Sequence, residues 1–182
     1  MTKELKHIIQ GCLELDRVSQ KALFELYNKG LLSLAYRLTQ DKELAKESTQ
    51  ECWIEVFKSI NRYDKNKGEL RPWLNTILIR KTWKVIRKQP DNSSLNLNIT
   101  TPSHSNNIIE KFTCEEILQE IKHIPPGSRM VFKLFVLEEY THEEIGKLLN
   151  ISESASRSHL TKARKIMKER YRIINKTTYN EL

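Results

Sequence analysis

The sequence predicts an all-α fold of two small helical domains joined by a flexible linker. Three observations predict it. Apolar residues recur at three- and four-residue steps in several stretches, the spacing of one helix face. Gly and Pro number only five each in 182 residues, too few for a loop-rich chain, and strand-like runs of β-branched and aromatic residues are scarce. The composition also shifts sharply once. Residues 89–107 (QPDNSSLNLNITTPSHSNN) hold five Asn, four Ser, two Thr and two Pro, with no Lys or Arg. Such a stretch buries too little apolar surface to offset its ordering entropy. Residues 89–110 are therefore read as a linker between a domain at 1–88 and a domain at 111–175, with 176–182 as a tail. At ~3.3–3.6 Å per residue the biased stretch reaches at most ~60–70 Å. That is nearly two turns of B-DNA at ~34–36 Å each, so the two domains can occupy separate sites on one duplex.

The elements follow in order. Residues 22–38 carry Leu23, Leu26, Tyr27, Leu31, Leu34 and Leu38 at helical spacing. Residues 42–60 form a second helix, with Ala45, Cys52, Trp53, Val56, Phe57 and Ile60 apolar and acids interleaved. Residues 61–68 (NRYDKNKG) read as a loop. A third helix starts near Pro72, a residue suited to a first helical turn, and runs to Lys88. Downstream, residues 113–116 (TCEE) have the capping-box pattern ahead of Ile117, Leu118 and Ile121. Pro125, Pro126 and Gly127 are expected to end that helix, and residues 129–138 to make the next. Residues 141–144 (THEE) are a second capping box, opening a short helix with Ile145, Leu148 and Leu149. Asn150 tolerates the left-handed conformation of a tight turn, and Ser152 can cap a last long helix, 153–172.

The formal charge is +8 and the pI is about 9.4. That excess favours polyanionic partners, nucleic acid before an anionic membrane surface. Cys12, Cys52 and Cys114 are odd in number and far apart, which argues against a disulfide framework and for a reducing compartment. The five His are scattered and no CxxC pair exists, so no metal site and no cofactor are expected. The first residues (MTKELKHIIQGCLELDR) are charged, unlike a signal peptide. No apolar run approaches the ~20 residues that cross a bilayer, so no membrane insertion is expected and the chain is placed in the cytoplasm.

A short capped helix, a three-residue turn and a long basic helix make a helix-turn-helix pattern. On the long helix Ser156, Leu160, Ala163, Met167, Tyr171 and Ile174 share one side, and Ser154, Ser158, Thr161, Lys165, Lys168 and Arg172 lie opposite, with Arg157 and Lys162 on the flanks. Residues 153–172 carry seven Lys/Arg against two Glu. The bland alternative is an amphipathic helix with a solvated basic face; the partner helix and turn in register weigh against it. The N-terminal half of such a helix reaches the bases. Ser154, Arg157, Ser158, Thr161 and Lys162 are therefore the candidates for base edges and nearby phosphates, with Lys165 and Lys168 for the backbone.

The third helix has a second basic surface. Leu74, Ile77, Leu78 and Val85 cluster on one side, and Thr76, Arg80, Trp83 and Arg87 fall opposite. Residues 80–88 hold five Lys/Arg and no acid. An exposed Trp among cations suits stacking on an unpaired base; partial burial against the N-terminal helix is the alternative for Trp83, while Trp73 reads as core. The loop residues Asn61, Arg62, Tyr63 and Lys65 mix amide, aromatic and cationic groups that can hold a base swung out of the duplex. The second helix is acidic instead: Asp41, Glu43, Glu47, Glu51 and Glu55 outnumber Lys42 and Lys46. That surface repels DNA and suits a protein partner, or else is simply solvated.

These residues resemble those of bacterial RNA polymerase sigma factors of the extracytoplasmic-function (ECF) subfamily. The upstream match lies in Leu26–Tyr27, residues 35–39 (AYRLT) and 45–51 (AKESTQE), and Trp73, Leu74 and Ile77. The downstream match lies in Ile124, Pro125, residues 140–149 (YTHEEIGKLL), Ile151, Ser152, 157–160 (RSHL) and 162–164 (KAR). The resemblance implies two helical units, sigma regions 2 and 4. It implies that Glu47, Gln50 and Glu51 dock on the β′ clamp helices of core RNA polymerase. The loop 61–68 and the helix 72–88, including Lys84, would open and hold the −10 promoter element. Residues 153–168 would read the −35 element, and the fourth region would also meet the β flap. An anti-sigma factor is a further partner that members of this subfamily often have. Ser48 and Thr49 stand where the family usually has larger apolar residues, Arg80 and Lys84 where it often has Asn and Asp, Leu70 for a common Phe, and Asn150 for a common Gly.

The competing readings are an autonomous helix-turn-helix regulator and a nucleic-acid enzyme. A sensor domain has no need of a basic, Trp-bearing helix, which counts against the first. An enzyme needs clustered carboxylates or a metal set beside the basic surface. Here acids and cations lie on different helices, so no catalysis is expected.

Overall fold

The computed structural model describes residues 3–89 and 120–180, the side chains of 172–180 excepted. The chain divides into two compact units, Met1–Gln89 and Pro90–Leu182. The described residues are helical, with no strand. Almost all of the expected linker, the 113–116 capping box, Ile117 and Leu118 lie outside the described residues.

The first unit contains α1 (Lys3–Leu13), α2 (Arg17–Thr39), α3 (Lys42–Ser59), a 3₁₀ turn (Ile60–Arg62) and α4 (Leu70–Lys88). Carboxylate caps set two of the starts. Asp16 accepts the N–H groups of Val18 and Ser19, and Asp41 those of Glu43 and Leu44, satisfying donors that a helix start leaves open. Helix α2 ends where Gln40 turns left-handed (φ 59°). Leu23, Leu34, Leu38, Ala45, Cys52, Val56, Leu74, Leu78, Ile79 and Val85 form the core. Helix α3 packs on α2 and α4, while α1 lies on α2 and touches the 3₁₀ turn. A Cβ at Gly11 would stand 2.1 Å from Ser19 Oγ, so the α1–α2 corner closes only around a hydrogen atom.

The start of α4 and the packing of its apolar side differ from the expectation. Helix α4 starts at Leu70, two residues before Pro72; the proline sits within the first turn, where no N–H is needed. Trp73 is half-buried, its ring 5.6 Å from that of Tyr63, and Ile79 and Thr82 take the buried positions that Ile77 was expected to share. Ser48 and Thr49 are buried: Thr49 Oγ1 donates to Ala45 O at 2.7 Å, whereas Ser48 Oγ has no partner.

The second unit contains α5 (Pro126–Val136), α6 (His142–Leu149) and α7 (Glu153–Asn180). Pro126 opens α5 as its first residue, with Pro125 at the cap. The helix thus begins three residues earlier than the apolar spacing predicts, because a proline's fixed φ and missing N–H suit a first helical position. It stops at Val136, and Leu137 is exposed. Ile121, Ile124, Met130, Val131, Leu134, Ile145, Leu160, Ala163 and Ile166 make the core. Lys133 sits among them, fully buried. Helix α7 continues to Asn180, past the expected end at 172.

Candidate nucleic-acid and protein interfaces

The helix-turn-helix is built by its caps. The Thr141 hydroxyl accepts the Glu144 N–H, while the Glu144 carboxylate accepts the Thr141 N–H at 2.8 Å. That N–H and the Thr141 hydroxyl, which donates to the same carboxylate at 2.8 Å, hold the Glu144 carboxyl below its usual range. Asn150 turns left-handed (φ 56°), and the Ile151 N–H donates to Gly146 O at 3.0 Å. Ser152 Oγ accepts the Ala155 N–H at 3.0 Å and so starts α7. Within this turn a Cβ at Gly146 would lie 2.9 Å from Ile151 O, a contact with backbone that has nowhere to go.

Ser154, Arg157, Ser158, Thr161 and Lys162 are all exposed on the open side of α7, while Lys165 is half-buried. Ser156, Leu160 and Ala163 face inward as expected; Ile174 and Arg172 lie outside the described side chains. Arg157 pairs with Glu153 one turn back, and Thr161 Oγ1 donates to Arg157 O at 3.0 Å. Two histidines fasten the inner side. His142 Nδ1 is 2.9 Å from Ser156 Oγ, and His159 Nδ1 is 3.0 Å from Ser128 Oγ. Burial, helped by Arg157 in one case and Lys162 in the other, holds both imidazoles below the usual histidine range. His142 also stacks on Phe135 at 4.5 Å, with the Arg164 guanidinium 5.9 Å from that ring. Nothing local in the sequence marks these clips, because each pairs a histidine with a serine 14 or 31 residues away.

In the first unit Asn61, Arg62 and Lys65 are exposed, with Asn61 and Arg62 inside the 3₁₀ turn. Tyr63 is half-buried and closes the loop by donating its hydroxyl to Gly68 O at 3.1 Å. Asp64 Oδ1 accepts the Asn66 N–H at 2.9 Å, and Gly68 takes φ 150°, a value L side chains rarely adopt. The loop is thus internally braced. Two clefts of about 590 Å³ and 500 Å³ border it. On α4, Arg80, Lys84 and Arg87 are exposed. Trp83 is half-buried, with the Arg87 guanidinium 5.9 Å from its ring. Thr76 is half-buried and donates its hydroxyl to Pro72 O at 2.9 Å, so its side chain serves the helix first.

Glu47 and Gln50 are exposed on α3, and Glu51 is partly so. Ile54, 44% exposed, lies on the same face. Trp53 anchors this helix to α2 by donating its indole N–H to Asn28 Oδ1 at 3.0 Å. Lys81 of α4 reaches across to Glu55 at 2.8 Å and Glu51 at 4.0 Å. Its hydrogen bond and charge hold the Glu55 carboxyl below its usual range. Acidic and basic helices are therefore neighbours, bridged through Lys81.

Comparison with known proteins matches a segment of each unit. The family description Sigma-70 region 2 matches residues 23–90, and Sigma-70, region 4 matches residues 114–167. SigM of Bacillus subtilis, an ECF RNA polymerase sigma factor, is 26% identical over 158 residues, covering 82% of this chain and 93% of that protein. The chain belongs to the ECF sigma factors. SigW of Bacillus subtilis, another ECF sigma factor, is 22% identical over 184 residues, covering 93% of this chain and 96% of that one. The fold is similar to that of the sigma factor RpoE in its co-crystal structure with the anti-sigma factor NepR from Bartonella quintana. There the TM-score is 0.55, the identity 16%, and the match covers 82% of this chain and 94% of that one. Sigma factors are non-catalytic subunits that bind core RNA polymerase and promoter DNA. Among the described residues of this sigma factor no helix is long and apolar enough to cross a membrane.

Proposed function

We propose that this sigma factor binds core RNA polymerase, recognises −35 and −10 promoter elements, and directs promoter opening and transcription initiation in the cytoplasm. Residues 1–88 would supply core binding and −10 contacts, residues 111–175 the −35 contacts, and residues 89–110 the tether between them, with 176–182 as a tail. In this reading Glu47, Gln50 and Glu51 face the β′ clamp helices, and residues of the second unit meet the β flap. Asn61, Arg62, Tyr63, Lys65, Thr76, Arg80, Trp83, Lys84 and Arg87 hold the melted −10 strand. Ser154, Arg157, Ser158, Thr161, Lys162 and Lys165 meet the −35 duplex.

One observation carries the proposal. Each unit matched to a sigma region presents its own accessible cationic surface, centred on Trp83 and Arg87 in one and on Arg157 and Lys162 in the other. A half-exposed tryptophan beside cations suits an unpaired base, and an exposed helix face behind a capped turn suits the major groove. The test adds the purified chain to sigma-free core polymerase on genomic templates. Promoter-specific transcripts are expected. No transcripts from any template, together with tight DNA binding by the chain alone, would instead point to an autonomous helix-turn-helix regulator. We further infer an anti-sigma factor as a regulatory partner, by analogy with the complexed sigma factor of similar fold. Such a partner should compete with core polymerase for the chain in a titration.

A further inference from the structure

Helix α1 lies outside the matched region 2 segment, which begins at residue 23. Yet it packs against the 3₁₀ turn that opens the 61–68 loop, and it forms the far wall of both clefts bordering that loop. In the larger cleft Leu5 and Ile8 of α1 face Leu26, Tyr27, Tyr63 and Arg71. In the smaller, Lys6 and Gln10 of α1 face Asn61, Tyr63, Asp64 and Lys65. Tyr63 and Lys65 line both, and Tyr63 is fixed by Gly68 O and the Trp73 ring.

The chemistry of the two clefts differs. The larger cleft sets two tyrosines and aliphatic walls beside Arg71 and Lys65 and the Glu4 and Glu69 carboxylates; its apolar part fits the flat face of a base, while its carboxylates keep phosphates away. The smaller one offers two ammonium groups and two amides, which fit a phosphate and a base edge. The Asp64 carboxylate also lines it, but one of its oxygens is taken by the Asn66 N–H. Helix α1 is a firm support: Ile8, Ile9 and Cys12 are buried, and Gly11 meets Ser19 without room for a Cβ. Lys6 and Gln10 remain exposed, with the Gln10 amide held by Glu14 at 2.8 Å.

We propose that α1 is a DNA-contacting element of this sigma factor: Lys6 and Gln10 grip the backbone of the separated promoter strand beside the loop. This rests on the reading that the loop and α4 engage the melted −10 strand. The test uses holoenzyme reconstituted with full-length chain. The probe is a fluorescein-labelled single-stranded oligonucleotide carrying the non-template −10 region of a promoter transcribed by the wild-type holoenzyme. The Lys6→Ala, Gln10→Ala double variant should bind it 3–10-fold more weakly, at roughly single-contact scale, and with a salt slope shallower by about 0.7 for the one phosphate lost. Lys6→Arg should restore the slope. Both positions are exposed, so the melting temperature should not move. Wild-type affinity and slope in the double variant, alongside weakened binding by Trp83→Ala, would overturn the role of α1 alone. Undiminished binding by Trp83→Ala would overturn the −10 reading itself, and this proposal with it.

Discussion

Lys133 is the residue whose chemistry is least like its surroundings. It is fully buried in α5 among Met130, Val131 and Leu134, and burial, assisted by the Arg129 charge, lowers its pKa from 10.5 to about 7. The unfolded chain therefore binds more protons than the folded one between pH 7 and 10.5, and the second unit gains stability as pH rises through that window. Below pH 7 both states carry the proton, and the cost of burying it no longer changes with pH. Lys133→Met, close in volume and uncharged, should raise the melting temperature of the second unit. The gain should be largest at pH 7 and below and should shrink towards pH 10; equal melting curves at pH 7 would show that burial costs nothing there. Arg157 is the opposite case, a cation in the open. Arg157→Ala should cost about 1–3 kcal/mol of −35 binding and relax the preference at one base position, with no change in melting temperature. Quantitative footprinting on −35 variants reads both effects.

At the scale of elements, what matters is how closely helices approach. The α6–α7 turn leaves no room at Gly146 for a Cβ against Ile151 O. Gly146→Ala should push the recognition helix out of register, destabilise the second unit by about 1–3 kcal/mol and weaken −35 binding, as thermal melts and duplex titrations would show. The α3–α4 interface has the reverse fault. Ser48 Oγ and Thr82 Oγ1 are buried without partners, and a buried hydroxyl that makes no hydrogen bond carries its desolvation cost uncompensated. Thr82→Val keeps the shape and should stabilise the first unit by about 1 kcal/mol in a denaturant titration. These elements also show how far the sequence could be read. The 141–144 capping box, the left-handed Asn150 and the Ser152 cap were legible because each is a local device with a local signature. The first two turns of α7 followed from helical period, with Ser156, Leu160 and Ala163 inward and Arg157, Ser158 and Thr161 outward; farther along, Ile166 rather than Met167 is buried and Lys165 and Lys168 are half-buried. The start of α5 was not legible, since a Pro-Pro-Gly run serves equally to end one helix or begin another. Tyr63 and Thr76 were visible as candidate contacts, but not as loop and helix braces, since which group a hydroxyl meets depends on the fold. The clefts beside the loop escaped for the same reason: their second wall comes from a helix some 50 residues away in the chain.

At the scale of the molecule, the proposed function has acidic and basic surfaces share one chain without sharing a task, and this separation can be tested as a pattern. The acidic face of α3 and the cationic face of α4 belong to the same unit and are joined through Lys81, while the cationic face of α7 belongs to the other unit. If each face has its own partner, three variants should fail in three distinguishable ways. Glu47→Lys puts a cation on the surface meant for a basic partner, so it should abolish transcription on every template by preventing holoenzyme assembly. Trp83→Ala removes an aromatic platform needed only by an unpaired base, whose stacking is worth about 1–3 kcal/mol. It should form holoenzyme normally, fail on duplex templates, and recover on a template pre-melted across the −10 element. Arg157→Ala acts before any strand separates, so pre-melting should leave its defect in −35 recognition unrelieved wherever the −35 element still contributes to binding. Core binding measured by gel filtration, run beside transcription on the two templates, separates the three. Recovery of Glu47→Lys on the pre-melted template would show instead that the acidic face acts on DNA opening rather than on the polymerase.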